Sequence, residues 1–441
     1  MAPVFDCSVV AFITRVKTLI FFLFFTNVGV LRSLEQYLLS IQSRNFTGSD
    51  LIVTVSRSNR QFYRPRALSS RVKTRATASV RDTLADGRGV AATEHGQVVF
   101  VPGVWPGEEI VIDVTVTSRG AATGSLVSVL TPSTARITPS CRYANDGQCG
   151  GCPWSFVEYE AQVEQKISRL QSSLDRLGSY ADIQLISAPS QIAYRNRAQF
   201  KSDGQTLGYL AAKTHRIVDV ECCEVLSPNA AQQLRRLRSQ LPNPEWSSRR
   251  GWTTLDIDDQ VDEPSVNQRP IFRQANTQQN QAMKDWLRSQ LRELPSVEYC
   301  LELFCGAGNL TEVLSASLGA EIMAAEGQGA AIEELSAKGL ERVTPVTADL
   351  FDDRSFTRLL ADMEPFDAVV LDPPRDGLKC SKPLMGSIKG VQWIIYISCD
   401  QATWERDIGL FQAEGFRLDH VTLLDMFPQT PHLEILSICR R

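Results

Sequence analysis

Apolar positions recur with three different periods along this chain. Over 86–137 they alternate with polar ones in the short runs "GVAA", "QVVFVPG", "EEIVIDVTVTS" and "TGSLVSVL", punctuated by Gly96, Pro102-Gly103, Pro106-Gly107, Gly120 and Gly124. Period-two strands at this spacing predict a small OB-like β-barrel, an architecture often used to hold single-stranded nucleic acid. Over 155–177, "SFVEYEAQVEQKISRLQSSLDRL", the period becomes helical. Strands follow near 183–200, 206–210 and 215–220, and the polar, Pro-containing stretch 239–265 reads as a loop or linker. Beyond it, strands at 299–304, 321–325, 343–347, 367–371 and 393–397 alternate with amphipathic helices. That alternation predicts a parallel sheet with helices on both faces. Two last strands, 417–424 and 433–439, are expected to close its edge as an antiparallel pair. The expected class is α/β, divided into a leader (1–81), a β-barrel (82–137), a central α+β domain with a cysteine cluster (138–265) and a Rossmann-like domain (266–441).

Charge changes the picture at the N-terminus. The net charge of −4 conceals a basic head: residues 1–81 carry 12 Lys/Arg and 3 Asp/Glu, the remainder 34 and 47. An acidic body argues against blanket affinity for nucleic acid. Any RNA contact is then local, with Arg195, Arg197, Arg235, Arg236, Arg238, Arg249 and Arg250 available for a patch. Residues 18–31, "TLIFFLFFTNVGVL", are apolar but fall short of the roughly 20 residues of a membrane span. Residues 51–81 hold 8 Lys/Arg and no acid, the composition of an organellar transit peptide. The head is therefore expected to be an address, plastid or mitochondrial, with a cytoplasmic protein if the start codon is placed too far upstream. No stable membrane association is expected of the mature protein, and it is expected to be a monomer.

The stretch "LELFCGAGNL", 301–310, is a strand running into a Gly-rich turn and a helix. Gly306 and Gly308 allow the tight turn and the close approach of backbone to a ligand. Glu326 ends the next strand, where a carboxylate can accept bonds from both hydroxyls of a ribose. Thr311 stands where a dinucleotide cradle would need its third glycine, so a nucleoside cofactor without a pyrophosphate fits better. S-adenosylmethionine is that cofactor.

Asp372 follows the apolar strand "DAVVL" and heads the stiff sequence Pro373-Pro374-Arg375. Exocyclic-amine methyltransferases place an aromatic residue after the two prolines, so Arg375 makes amine methylation the weaker reading. Cys399 ends the following strand, "IIYIS", on the same side. A thiolate there can add to C6 of a pyrimidine and make C5 a carbon nucleophile. A base must later take the C5 proton so that elimination frees the cysteine. Glu434, in "PHLEIL", is the candidate base, with His432 nearby in a structural role. Cytosine-C5 methylation of RNA is the chemical competitor; its enzymes carry a second cysteine at the position held here by Arg375. An RNA-binding or chaperone protein with a retired active site is the third reading.

Cys141, Cys149 and Cys152 form C-x7-C-x2-C, with Cys222 or Cys223 available as a fourth thiolate. In a reducing compartment four clustered cysteines suggest a metal site, and zinc and a [4Fe–4S] cluster both accept four thiolates.

Over residues 86–441 the chain resembles the RNA 5-methyluridine methyltransferases, especially their 23S rRNA branch. "GRGVAATEHGQVVFVPGVWPGE" is similar to the family's TRAM barrel and "CRYANDGQCGGC" to its iron–sulfur motif. "YRNRAQF" and "VDVECCEVL" resemble central-domain signatures, and "FRQANTQQNQAM" a cofactor-gating stretch. "LELFCGAGNLT", "LDPPRDGL", "YISCD…RD" and "LDMFPQTPHLE" resemble the catalytic motifs. The resemblance implies Cys399 as nucleophile and Glu434 as base, with Gln274, Phe304, Asn309, Glu326, Asp349 and Asp372 around the cofactor or uracil. It favours iron–sulfur over zinc, with Cys223 as the fourth ligand and a structural role for the cluster. It implies structured RNA as partner, rRNA ahead of tRNA. Gln401 stands where relatives carry Pro.

Overall fold

The computed structural model describes residues 74–441, apart from 117–121, 146–147, 213, 249–250, 269 and 362–364. Residues 1–73 of the leader expected at 1–81 lie outside the described residues. Its last part does not: Thr74–Arg81 belong to strand β1 (Thr74–Thr83), which corrects the boundary drawn at 81. β1, β2 (Gly89–Thr93), β3 (Val98–Val101), β4 (Glu109–Val116) and β5 (Ala122–Thr131) close a barrel in the order β1-β2-β3-β5-β4. Alternation drives it. Ile110, Ile112 and Val114 of β4 point inward, where they meet Val80, Val99 and Val101. Trp154 seats the barrel on the rest of the molecule: its indole N–H donates to Gly87 O at 3.1 Å and its ring meets Trp105 edge-on at 5.0 Å.

Helix α1 (Tyr159–Arg176) follows, and then β6 (Ile183–Ile186). The central sheet runs β11-β10-β7-β8-β9, built from β7 (Arg197–Ser202), β8 (Leu207–Leu210), β9 (Ile217–Asp219), β10 (Thr253–Asp258) and β11 (Val261–Val266). Helix α2 (Pro228–Arg238), capped by the Ser227 hydroxyl accepting from Ala230 N, covers it through Leu234 and Leu237. The second half of the stretch expected to be a loop or linker, 239–265, is thus the β10–β11 hairpin. Its polar face looks outward, and Pro264 is tolerated because β11 is an edge strand.

The third sheet has the order β14-β13-β12-β15-β16-β18-β17-β6. Its strands are β12 (Tyr299–Leu303), β13 (Glu321–Glu326), β14 (Val343–Thr347), β15 (Ala368–Leu371), β16 (Trp393–Ser398), β17 (Arg417–Leu424) and β18 (Glu434–Arg440). The first five are mutually parallel, and β18 lies antiparallel to both β16 and β17. The antiparallel pair therefore forms as expected, but β6 supplies the edge beyond it, parallel to β17.

Period two decides which helix each strand residue meets. Leu301, Leu303, Ile394, Tyr396 and Ile435 share one core with α1, α6 (Asp353–Ala361), α7 (Ser381–Ser387) and α8 (Gln401–Ala413). Cys300, Ile395, Ile397, Leu436 and Ile438 face α3 (Thr277–Glu293) and α4 (Thr311–Ser317) on the opposite side. Helix α5 (Gly329–Ala337) packs Ile332 and Leu335 behind the Gly-rich turn. Each fully buried Leu, Ile or Phe in these layers contributes about 1.5–3 kcal/mol. Among the described residues no helix is long and apolar enough to cross a membrane.

Candidate active site

Parallel pairing brings the carboxyl ends of β12, β13, β15 and β16 to one edge of the sheet. A cavity of about 790 Å³ opens there, lined by Gln274, Phe304, Gly306, Asn309, Glu326, Asp372, Cys399 and Glu434 among others. Sequence reading had singled out all of these residues.

One lobe of the cavity is built on the turn after β12. Phe304 has φ of 61°, a left-handed conformation that costs a side-chain-bearing residue about 1–2 kcal/mol. The strain turns its ring toward Phe351, 5.6 Å away, and the chain into Gly306. The carboxylate of Glu326 accepts from Gly306 N at 3.3 Å and from Gln328 N at 2.9 Å, so the acid and the turn are locked together. Asn309 exchanges two amide bonds with Asn280 of α3, at 2.8 and 3.0 Å. Gln274 is held through its carbonyl by Asn196, whose amide donates at 3.2 Å. Gly308 is placed differently from Gly306. It has φ of 86°, and a Cβ there would strike Leu335, so its role is to let α5 close against the turn. Asp349 is exposed and caps its own loop by accepting from Phe351 N at 2.9 Å; Phe351, not Asp349, forms the wall.

The other lobe is acidic and buried. Ser398 of β16 pairs with Ile435 of β18, the last pair of that ladder. The next positions along each strand are Cys399 and Glu434, so the antiparallel register sets them opposite each other, 35 residues apart in sequence. Asp372 follows β15, the neighbouring strand. Burial pushes the Asp372 carboxyl up to about 7. Burial, then the nearby Asp372, raises Glu434 well above the usual carboxylate range, with Arg375 pulling the other way. Burial, Glu434 and Asp372 together push the Cys399 thiol up to about 12, again against Arg375. Burial and then Arg375 hold His432 down to about 4, leaving it neutral at pH 7. A proton-bearing thiol beside a carboxyl that titrates near neutrality is a pair between which a proton can move during a reaction. Beneath the turn, burial raises Glu302 to about 8.

Two contributions went unread in the sequence. Asp407 is buried and accepts from Leu378 N at 2.9 Å and Tyr396 OH at 2.7 Å, pinning the loop that follows Asp372. Its only sequence signal was the Arg-Asp pair in the catalytic motif. Phe427, on the loop before Glu434, lines the cavity and carries the Arg195 guanidinium over its ring at 5.7 Å.

The cysteines converge elsewhere. Burial and then Cys223, Cys149 and Cys141 raise the Cys152 thiol to about 12, so all four lie within electrostatic reach of one another. Burial raises Cys223 to about 11, and Tyr209 hydrogen-bonds to it, whereas Cys222 is exposed. Among the described residues no group of three or more His, Cys, Asp or Glu side chains is arranged to hold a metal ion.

A cavity at the carboxyl edge of an open α/β sheet, with a glycine turn bonded to the carboxylate that ends the next strand, has the build of an S-adenosylmethionine-dependent methyltransferase. Comparison with known proteins narrows the class. The family model described as tRNA (Uracil-5-)-methyltransferase matches residues 254–440, and that of the TRAM domain matches 71–127. An uncharacterized RNA methyltransferase of Nitrosomonas europaea is 38% identical over 357 residues, 78% of this chain and 91% of its own length. The 23S rRNA (uracil(1939)-C(5))-methyltransferase of Halomonas elongata is 32% identical over 430 residues, covering 80% and 87%. In fold, the crystal structure of Pyrococcus abyssi tRNA (uracil-54, C5)-methyltransferase aligns with a TM-score of 0.62 at 20% identity, over 82% of this chain and 99% of that one. The chain belongs to the RNA uracil-C5 methyltransferase family, in its form with an N-terminal TRAM barrel.

Proposed function

We propose that this protein methylates C5 of a uridine in ribosomal RNA through a covalent adduct between Cys399 and C6 of the ring. The observation that carries the reading is the β16–β18 register, which sets a thiol and a buried carboxyl face to face on the cavity floor. Phe304, Gly306, Asn309 and Glu326 would hold S-adenosylmethionine, Glu326 through the ribose and the glycine turn through close backbone approach. Bound there, the cofactor supplies an electrophilic methyl group to C5. Cys399 gives its proton to a neighbouring carboxylate as its sulfur bonds to C6. Glu434, in its ionised form, later takes the C5 proton, the C6–S bond breaks, and the departing sulfur takes back the proton it gave to the neighbouring carboxylate. The buried Asp372 carboxyl, pushed up to about 7, suits this traffic, since a base works best when it titrates near the working pH. Pro373 and Pro374 keep the Asp372 loop from relaxing.

Ribosomal RNA is favoured by the 23S rRNA relatives and by the barrel. Incubation of the protein and S-adenosylmethionine with in vitro transcribed 23S rRNA, followed by nucleoside mass spectrometry, should yield 5-methyluridine. Product only on tRNA transcripts would move the target, and 5-methylcytidine would replace the reaction. The basic head is proposed to direct the protein to an organelle, which imaging of the full chain fused to a fluorescent protein tests.

The four thiols are proposed to hold a [4Fe–4S] cluster of structural purpose. The donor set supports this: Cys141, Cys149, Cys152 and Cys223 are sulfur ligands alone, mutually close and partly shielded from water. Anaerobic purification should give iron and acid-labile sulfide; stoichiometric zinc without iron would refute it.

A further inference from the structure

Helix α1 grips both loops that carry the reacting side chains, and it does so through one face. Gln162, Lys166 and Arg169 recur at helical spacing. All three reach the segment between β17 and β18. Gln162 Nε2 donates to Gln429 Oε1 at 3.0 Å while Gln162 Oε1 accepts from Gln429 N at 2.9 Å. Lys166 Nζ donates to Asp425 Oδ1 at 2.6 Å and to Phe427 O at 3.3 Å.

Arg169 goes further, because it serves two loops at once. Its Nη1 donates to Pro431 O at 2.9 Å, three residues before Glu434, and its Nη2 donates to Gln401 Oε1 at 3.0 Å, two residues after Cys399. Gln401 answers by donating from Nε2 to Arg169 O and to Ser173 Oγ, both at 2.7 Å. A planar guanidinium suits such a task, since its fork presents donors in fixed, divergent directions. These bonds go to neutral acceptors, and the partly buried cation is balanced through space by Asp82 and Asp400.

We propose that Arg169 and Gln401 are positioning residues that fix the spacing between the nucleophile loop and the base loop. The two steps act on adjacent carbons of one ring, so the thiol and the carboxyl must stay in register with each other. The bridge supplies that register from outside the cavity, touching neither the ring nor the cofactor. This inference rests on the roles proposed above for Cys399 and Glu434.

The test uses Arg169→Met, Gln401→Ala and their combination on in vitro transcribed 23S rRNA. Each single change should lower kcat by about 10- to 100-fold, the scale of a misplacement near 1 Å. KM for RNA and the affinity for S-adenosylmethionine, read by calorimetry, should stay within about twofold, since neither residue touches a ligand. The double variant should be no slower than the slower single one, because both changes remove the same bridge. Arg169→Lys should recover part of kcat, one ammonium serving one loop better than two. Multiplying effects, a change confined to KM, or undiminished kcat would overturn the bridge. Should the Arg169 variants lose their thermal unfolding transition, Gln401→Ala decides alone by the same split of kcat from KM. Cys399→Ala, run alongside, separates the two levels: methylation by that variant overturns the underlying roles, whereas its silence beside fully active bridge variants overturns the bridge only.

Discussion

Five parallel strands and the three strands beyond them, β18, β17 and β6, share one sheet, and the two groups contribute different things to the cavity. In the parallel part, β12, β13 and β15 each deliver a residue from their carboxyl ends: the Gly306 turn, Glu326 and Asp372. That arrangement follows from direction alone, and any open α/β sheet offers a ligand the same edge. At the other end β18 reverses. The residue it brings to that edge is its first, Glu434, and the partner it meets is the one after the last residue of β16. The parallel part thus builds a general nucleoside site, and the reversal adds to it a thiol and a buried carboxyl that face each other.

The comparison can be broken where it is most exposed. Cys399→Ala removes the only group assigned to covalent attack and should lower methylation of 23S rRNA transcripts by at least about 10⁴-fold, measured as methyl incorporation, while cofactor binding in the parallel part persists. Next in size is the anchor of the edge strands. Lys166 and Asp425 are both fully buried and paired at 2.6 Å. Breaking the pair with Lys166→Met should cost about 3–5 kcal/mol in urea unfolding, and exchanging both partners for apolar residues should cost far less, because no buried charge is then left alone.

In the parallel part, Gly308→Val meets Leu335 and an unfavourable φ together, and should cost about 1–3 kcal/mol along with weaker binding of S-adenosylmethionine, read by calorimetry. The smallest effect is one of pH. Burial raises Glu302 from an ordinary 4.5 to about 8, so the folded chain keeps a proton there that the unfolded chain has lost. Stability in the ligand-free protein therefore falls as pH climbs from about 4.5 to about 8, by linkage. Glu302→Gln should flatten the fall, stabilising the protein at pH 8 and changing little at pH 4, followed by thermal melts across that range.

What the sequence made legible follows the same division. The parallel strands were readable because buried strands such as β15, "AVVL", are continuous apolar runs bounded by turns. The Gly-rich turn, Asp372 and Cys399 stand at the ends of such runs, so placing the strands placed the residues. Elements that depend on partners far away in sequence were harder. Most of β1 reads as leader because its Arg75 and Arg81 continue a basic, acid-free stretch, and only pairing with β2 and β4 makes it a barrel strand. β10 and β11 carry enough Asp and Glu on their outer face to read as a linker. β6 is followed by the central domain in sequence, yet it completes the methyltransferase sheet beside β17. The hold of α1 on the two loops had no local signature at all, since Gln162, Lys166 and Arg169 look like the polar face of a solvated helix until the loops are laid against them.

The proposed chemistry depends above all on the thiol facing Glu434. The most direct measurement is denaturing electrophoresis and peptide mass spectrometry of the Glu434→Gln protein after incubation with S-adenosylmethionine and 23S rRNA transcript. With the proton at C5 no longer removed, the protein should remain bonded to RNA, and the peptide carrying Cys399 should bear a methylated uridine adduct. Free 5-methyluridine released at the normal rate, or an adduct on any other residue, would contradict it.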